Sequence, residues 1–351
     1  MKKQKNKLLS SRTLLASAVS TVLITLSAHS MGAANNAARY QDSKPPESVT
    51  ANDFIELFGK LSGSYPGFRK AHARGTCAVG TFTPSKDAAQ FADSALFSSG
   101  ELPTVMRFSL GGANPNADER APGVRGLGIQ ITLADGSKHT ITGNSVPVFG
   151  GKDPETFFGF LSALLPDESG KPDMAKLGAY IAANPSVQAN VMWSRSTPAP
   201  ASWANTPYFG LHTFFYQAKS GEQIKYRWSL NPDLGVEGLS PEQSASMPAA
   251  FLEDKLKAQV SDASTTVSYT LSATIGQAED TNIDPSIQWP DTREQVVMGT
   301  IKVNEVGGKG CDNLNFDPNL LSKGFTPSDD PVLRMRSPAY GISFGKRMTG
   351  Q

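Results

Sequence analysis

Cysteine is nearly missing from this 351-residue chain, which carries only Cys77 and Cys311. Two cysteines with no CxxC spacing cannot hold a metal cluster. In an oxidising compartment they could pair, but Cys77 sits in an apolar stretch and could equally be a buried thiol. An excess of either charge is missing too: 33 Lys and Arg face 32 Asp and Glu. With a net charge of +1 and no basic block, nothing points to a nucleic-acid partner. Charged residues are only 19% of the chain, low for a cytosolic enzyme. Internal repeats and long low-complexity tracts are absent, and histidine is limited to four positions, His29, His72, His139 and His212.

Glycine and proline are plentiful, 32 and 24 residues, which favours turns and strands. The first 34 residues have the pattern of an export signal. Lys2, Lys3, Lys5, Lys7 and Arg12 precede an uncharged run from Thr13 to Ala28, and small residues follow. Ala28-x-Ser30 and Gly32-x-Ala34 are both acceptable cleavage frames. An uncleaved anchor is the alternative, although the run is short against the roughly 20 residues of a spanning helix. No other segment is apolar enough to cross a membrane. The expected product is therefore exported and then soluble, with residues 35–48 as a flexible arm and 49–351 as one core domain.

Behind Thr50 or Asn52 as cap, the apolar spacing predicts a helix over 49–61. From Gly75 the period changes to two, predicting strands at 75–82, 104–111, 126–133 and 138–142, the last two joined by an Asp135-Gly136 turn. A helix is predicted at 154–165, then a mixed region with short helices at 166–206. Four more strands follow at 211–218, 223–230, 266–276 and 295–303, interrupted by a helix over 240–260 capped at Ser240-Pro241-Glu242. Asp330-Pro331 starts a last helix, in which Arg336 and Tyr340 share a face and Pro338 should introduce a kink. Eight antiparallel strands with helices around them predict an α+β fold built on a closed barrel, because closure removes sheet edges.

His72 stands at the mouth of the first strand, three residues after Arg69. That pairing suits a proton-handling imidazole with a guanidinium holding an anionic ligand arm, but a strand-edge histidine satisfied by backbone reads the same way. Company elsewhere decides between them. The segment Arg69-Lys70-Ala71-His72-Ala73-Arg74-Gly75 is followed by Met106-Arg107-Phe108-Ser109 and Gly143-Asn144-Ser145-Val146-Pro147-Val148-Phe149. Then come Asp153-Pro154-x-x-Phe157-x-x-Phe160, Gly210-Leu211-His212-Thr213-Phe214, Trp289-Pro290, Phe316-Asp317-Pro318 and Arg336-x-x-x-Tyr340. In this order, from about Phe54 to Arg347, the chain resembles a catalase. An export signal on a core that stops just past the tyrosine helix is similar to the short periplasmic branch, the catalase-related peroxidases.

The resemblance implies a haem b between the barrel and a C-terminal proximal helix, with Tyr340 as the axial iron ligand and Arg336 stabilising its phenolate. It implies His72 as the acid–base residue, Asn144 orienting the peroxide and Ser109 holding the His72 ring. Arg69, Arg107 and Arg347 would pair with the haem propionates, and Phe149 and Phe157 would pack on the porphyrin. His212 would be a buried structural histidine, while His139, in a polar hairpin, is expected to be solvated. Gly111 replaces the valine and Gly123 the aspartate usual in the peroxide channel of large catalases. The implied entrance is wider and less charged, suited to organic peroxides and a small electron donor. The stretch Pro200-Ala201-Ser202-Trp203 lacks the basic residues that grip NADPH, so no NADPH is expected. Monomer or homodimer is the expected state. Rearrangement of lipid hydroperoxides and non-catalytic haem carriage are the competing functions; a carrier has no need of His72 and Asn144.

Overall fold

A computed structural model describes residues 48–351. The expected export segment 1–34 and the expected arm 35–48, save its last residue, lie outside the described residues. Helix α1 (Ala51–Ser62) starts at Thr50, not Asn52. The Thr50 hydroxyl accepts from Asp53 N–H, and the Asp53 carboxylate accepts from Thr50 N–H.

Nine antiparallel segments follow: β1 (Gly75–Pro84), β2 (Leu102–Leu110), β3 (Arg125–Thr132), β4 (Lys138–Asn144), β5 (Tyr208–Phe209), β6 (Phe214–Gln217), β7 (Gln223–Pro232), β8 (Ser268–Ile275) and β9 (Gln295–Val306). Pairing runs β5–β4–β3–β2–β1–β9–β8–β7, and β7 returns to β5, so the barrel closes as expected. Its fifth staves are β5 and β6, both on the same edge of β7. The expected strand 211–218 is thus shortened to 214–217, and the stave is broken over 210–213. There Gly210 passes so close to Trp228 that a Cβ would lie 2.4 Å from the indole nitrogen. A short β10 (Phe325–Pro327) adds to β6.

Around the barrel lie α2 (Lys86–Phe91), α3 (Ala95–Ser98), α4 (Pro154–Ala163), α5 (Met174–Ala183), α6 (Pro185–Ser196), α7 (Pro241–Ser246), α8 (Leu252–Ser261) and α9 (Pro331–Met348). The helix expected over 240–260 is two helices, because Pro248 cannot continue the first. Phe251 offers α8 no capping side chain. The buried Glu119 carboxylate supplies it from afar, accepting from Phe251 and Leu252 N–H at 2.6 and 2.7 Å. Helix α9 starts at Asp330 as expected and continues across Pro338.

Strand period separates the two faces of the wall. Met106, Phe108, Leu127, Ile129 and Ile131 point into a fully buried lumen. His139 stands opposite Ile131 and belongs to that side: it is 3% exposed, against the expectation of a solvated ring. The polar hairpin misled because alternate residues of β4 turn inward. A lumen cavity beside His139 amounts to about 20 Å³, room for about one water. Cys77 and Cys311 form a disulfide, which settles the alternative left open by the sequence. Together with Phe316 they make a small separate core on the outer face, against which Tyr340 packs.

Candidate active site

The site begins as a row across the sheet. Gly75, Ser109, Gly126 and Asn144 are successive partners on β1, β2, β3 and β4. Directly opposed residues project to one face, so Ser109 and Asn144 flank Gly126 on the outer side. Gly126 has to be glycine: a Cβ there would lie 2.6 and 2.7 Å from His72 Nδ1 and Cε1. The ring of His72 occupies that space, with Nδ1 3.1 Å from Ser109 Oγ. Ser109 Oγ–H donates to the Gly126 carbonyl at 3.3 Å, so it accepts from His72 Nδ1–H. This network assigns the tautomer and leaves Nε2 bare, a proton acceptor.

His72 has φ +54°, a left-handed conformation otherwise taken only by glycines among the described residues. Arg107 holds it there, its NH1 donating to the His72 carbonyl at 2.7 Å and its NH2 to the Ala73 carbonyl at 2.9 Å. Burial, then the charges of Arg107, Arg336 and Arg69, push the His72 pKa down to about 4. The imidazole is therefore neutral at neutral pH. Asn144 Oδ1 accepts from Val146 N–H at 2.9 Å, and its amide nitrogen has no partner among the described residues.

Helix α9 closes this face, packing on α1 and α4. Lys70 N–H donates to Ser343 Oγ of α9 at 3.1 Å, clamping the His72 segment onto the helix. One turn apart as expected, Arg336 NH2 donates to Tyr340 Oη at 2.7 Å. The structure adds two residues to this pair. Arg336 NH1 lies 3.2 Å from His212 Nε2, and His212 Nδ1 lies 2.6 Å from Asp330 Oδ2. Burial lowers the His212 pKa against the pull of Asp330, so the ring is neutral, donating to Asp330 and accepting from Arg336. His212 sits in the break between β5 and β6, not in a strand, and that break lets its side chain reach Asp330. Sequence reasoning gave Asp330 only its capping role. It performs both: Oδ1 caps Val332 and Leu333, and Oδ2 takes the histidine.

Arg69 NH2 donates to the Cys311 and Leu314 carbonyls, both at 3.0 Å, and Arg347 NH2 to the same Leu314 carbonyl at 3.2 Å. Burial first, then Arg107 and Arg347, push the Arg69 pKa down to about 9. Among the described residues none of Arg69, Arg107 and Arg347 makes an ion pair, and Arg347 Nε is buried without a partner. Phe149 and Phe157 pack together at 4.4 Å between ring centres, with Phe149 6.1 Å from the His212 ring and Phe157 stacked on Phe54.

A model of the catalase family matches residues 35–351. The chain belongs to the catalase family. It is 37% identical over 306 residues to a catalase-related peroxidase of Synechococcus elongatus, covering 86% of this chain and 90% of that one. A catalase-related peroxidase of Mycolicibacterium paratuberculosis is 32% identical over 299 residues, covering 84% and 94%. Catalase A of Saccharomyces cerevisiae superposes with a TM-score of 0.73 at 19% identity, over 90% of this chain and 64% of the yeast chain. The last comparison establishes the fold, and this catalase-family chain spans less than two thirds of the yeast protein.

The donor set fits the haem that the family implies. A phenol oxygen already held by a guanidinium is a hard ligand poised for ferric iron. Three guanidiniums without an ion pair among the described residues, one with a buried unsatisfied nitrogen, suit the carboxylates of a porphyrin. Cys77, Cys311 and Asp312 are the one cluster with metal-ligand spacing among the described residues. Both sulfurs are committed to a disulfide, so it is no ion site.

Proposed function

We propose that this catalase-family oxidoreductase is a haem b-dependent peroxidase, reducing hydrogen or organic peroxides with a small organic electron donor. One observation carries the reading. Arg336 donates to Tyr340, and Lys70, two residues before His72, donates to Ser343 of the same helix, so the segment of the imidazole base and the helix of the phenol ligand are held together.

Tyr340 would hold the iron through its phenol oxygen, which Arg336 steadies with a hydrogen bond. Arg69, Arg107 and Arg347 would take the propionates, and Phe149 and Phe157 would pack against the macrocycle. When bound, haem supplies the redox chemistry that splits the O–O bond. His72 Nε2 takes the proton from the incoming peroxide oxygen and returns it to the departing one, which leaves as water or an alcohol. Ser109 keeps the proton on Nδ1 so that Nε2 is free for this transfer. Asn144 donates its spare amide hydrogen to a peroxide oxygen.

The entrance favours donors larger than a second peroxide. At Gly111 a Cβ would make ordinary contact with Val124 at 3.5 and 3.6 Å, so the backbone does not demand glycine there and its small size leaves the entrance wide. Gly123, at φ +140°, excludes an unstrained aspartate. Export through the 1–34 segment to the periplasm, with 35–48 as an arm to a single core from 49, completes the proposal. Monomer or homodimer and no NADPH are part of it.

The test loads the mature protein with haem, adds hydrogen peroxide and a chromogenic one-electron donor, and follows donor oxidation and oxygen release together. Donor oxidation with little oxygen is expected. Vigorous oxygen release would show a small true catalase and refute the role given to the entrance glycines. Neither signal, with a normal haem spectrum, would make the protein a carrier.

A further inference from the structure

The disulfide joins two parts of the chain that meet at the carboxylate-binding end of the site. Cys77 lies on β1 directly opposite Arg107 of β2. Cys311 begins the turn that carries the carbonyls of Cys311 and Leu314, which receive Arg69, and in the case of Leu314 also Arg347. The turn belongs to a connection from β9 to β10 with little regular structure, Val306 to Phe325. Its entry is bent through Gly307 and Gly308, both with positive φ. Three contacts pin this stretch to Cys77: the S–S bond, Gly307 N–H donating to the Cys77 carbonyl at 2.7 Å, and Cys311 N–H directed at Cys77 Sγ at 3.2 Å. The next residue, Asp312, is the carboxylate whose field favours the charged forms of Arg69, Arg107 and Arg347 together.

Three like charges that share one nearby carboxylate and make no ion pair repel one another and would relax apart if their acceptors moved. Arg69 comes from the segment before β1, Arg107 from β2 and Arg347 from the end of α9, so no single element holds them together. The covalent link, with the two hydrogen bonds beside it, ties the turn that accepts from Arg69 and Arg347 to the barrel wall next to Arg107. Neither sulfur is exposed: Cys77 is 6% and Cys311 0% accessible.

We propose that the Cys77–Cys311 disulfide is a positioning element for the porphyrin carboxylates, fixing the Cys311–Leu314 turn so that Arg69 and Arg347 are held beside Arg107. It touches none of the reacting atoms; it acts through the guanidiniums. The proposal rests on the haem reading given above.

The experiment compares the native protein with C77A/C311A for binding of haem and of its dimethyl ester, in which both carboxylates are neutral. As a second route, the folded native protein is reduced with a water-soluble phosphine. The phosphine takes up the oxygen of one water, and the two electrons and two protons go to the sulfurs. Free thiols are counted and the phosphine removed before titration. Haem binding is expected to weaken about tenfold without the disulfide, the scale of one hydrogen bond to a charged group, while the dimethyl ester binds both forms alike. Equal weakening for both ligands, or none for haem, would overturn the proposal. Loss of fold by both routes would also overturn it, making the bond a global staple. If the native protein takes up no haem at all, the haem reading itself fails. That outcome is distinct from native uptake that the disulfide leaves unchanged.

Discussion

The two faces of the β2–β3–β4 wall use the same strands for opposite ends. Inward, Met106, Phe108, Leu127, Ile129 and Ile131 fill an apolar lumen; outward, Arg107, Ser109, Gly126 and Asn144 make the candidate site. Each face has one histidine, and each ring is paired through Nδ1 with a serine. His139 Nδ1 accepts from Ser322 N–H at 3.2 Å, so its proton is on Nε2, and the ring lies edge-on to Phe325. His72 has the reverse tautomer, with Nδ1–H given to Ser109 and Nε2 bare. Burial pushes both pKa values down to about 4. A depressed pKa therefore does not distinguish a working imidazole from a structural one. The nitrogen left as an acceptor does: Nε2 in His72, Nδ1 in His139.

The sharpest way to break this comparison is to remove each ring. His72→Ala should lower peroxide turnover by about 10²–10⁴-fold, the usual contribution of a positioned acid–base group, with the fold intact. His139→Ala should leave the rate per folded molecule unchanged and cost about 2–4 kcal/mol of stability, as large-to-small changes in packed cores do. Steady-state kinetics and denaturant unfolding on both variants check this. Comparable losses of turnover in the two would erase the distinction.

Acidification separates the faces next. In the unfolded chain both rings take up protons near pH 6.5; in the folded chain they resist until about pH 4. The unfolded state thus binds more protons in that window, and stability falls as pH drops from about 6.5 to about 4. For fully buried His139 the difference reaches on the order of 3 kcal/mol below the window. His139→Asn should flatten the dependence of unfolding free energy on pH, while the turnover of the folded enzyme stays level to well below pH 6.5 because His72 is still neutral. A fall in turnover centred at pH 6.5 would show that the His72 environment is not as described.

Much of this was legible in the sequence, for physical reasons that differ by residue. Strand alternation and the turn at Asp135-Gly136 gave the wall, and the i, i+4 spacing gave the Arg336–Tyr340 contact. Asp330-Pro331 gave the start of α9. What stayed hidden depended on distant partners. The Asp330–His212–Arg336 relay spans 124 residues between His212 and Arg336, and local pattern registers neither that nor the cap that Glu119 provides to α8. The disulfide was undecidable because an apolar strand suits a thiol and a half-cystine equally. His139 was misplaced because the polarity of its hairpin outweighed its parity in the strand. Gly126 had a signal that went unread: glycine inside a strand marks close approach by something else, here the His72 ring.

Ser109→Ala tests the finest part of the comparison. Without the hydroxyl, His72 Nδ1–H loses its acceptor, and the ring is no longer held in the tautomer that leaves Nε2 bare. A lost neutral hydrogen bond of about 0.5–1.5 kcal/mol corresponds to roughly a 2- to 12-fold drop in kcat/KM for peroxide. The drop should be the same across neutral pH, because tautomer populations do not depend on pH while the ring is neutral. Haem content and unfolding midpoint should hardly move, since the fold around Gly126 keeps the ring in place. If Ser109→Ala instead matched His72→Ala, the serine would have to be part of the proton path, and Nδ1 rather than Nε2 would be the working nitrogen.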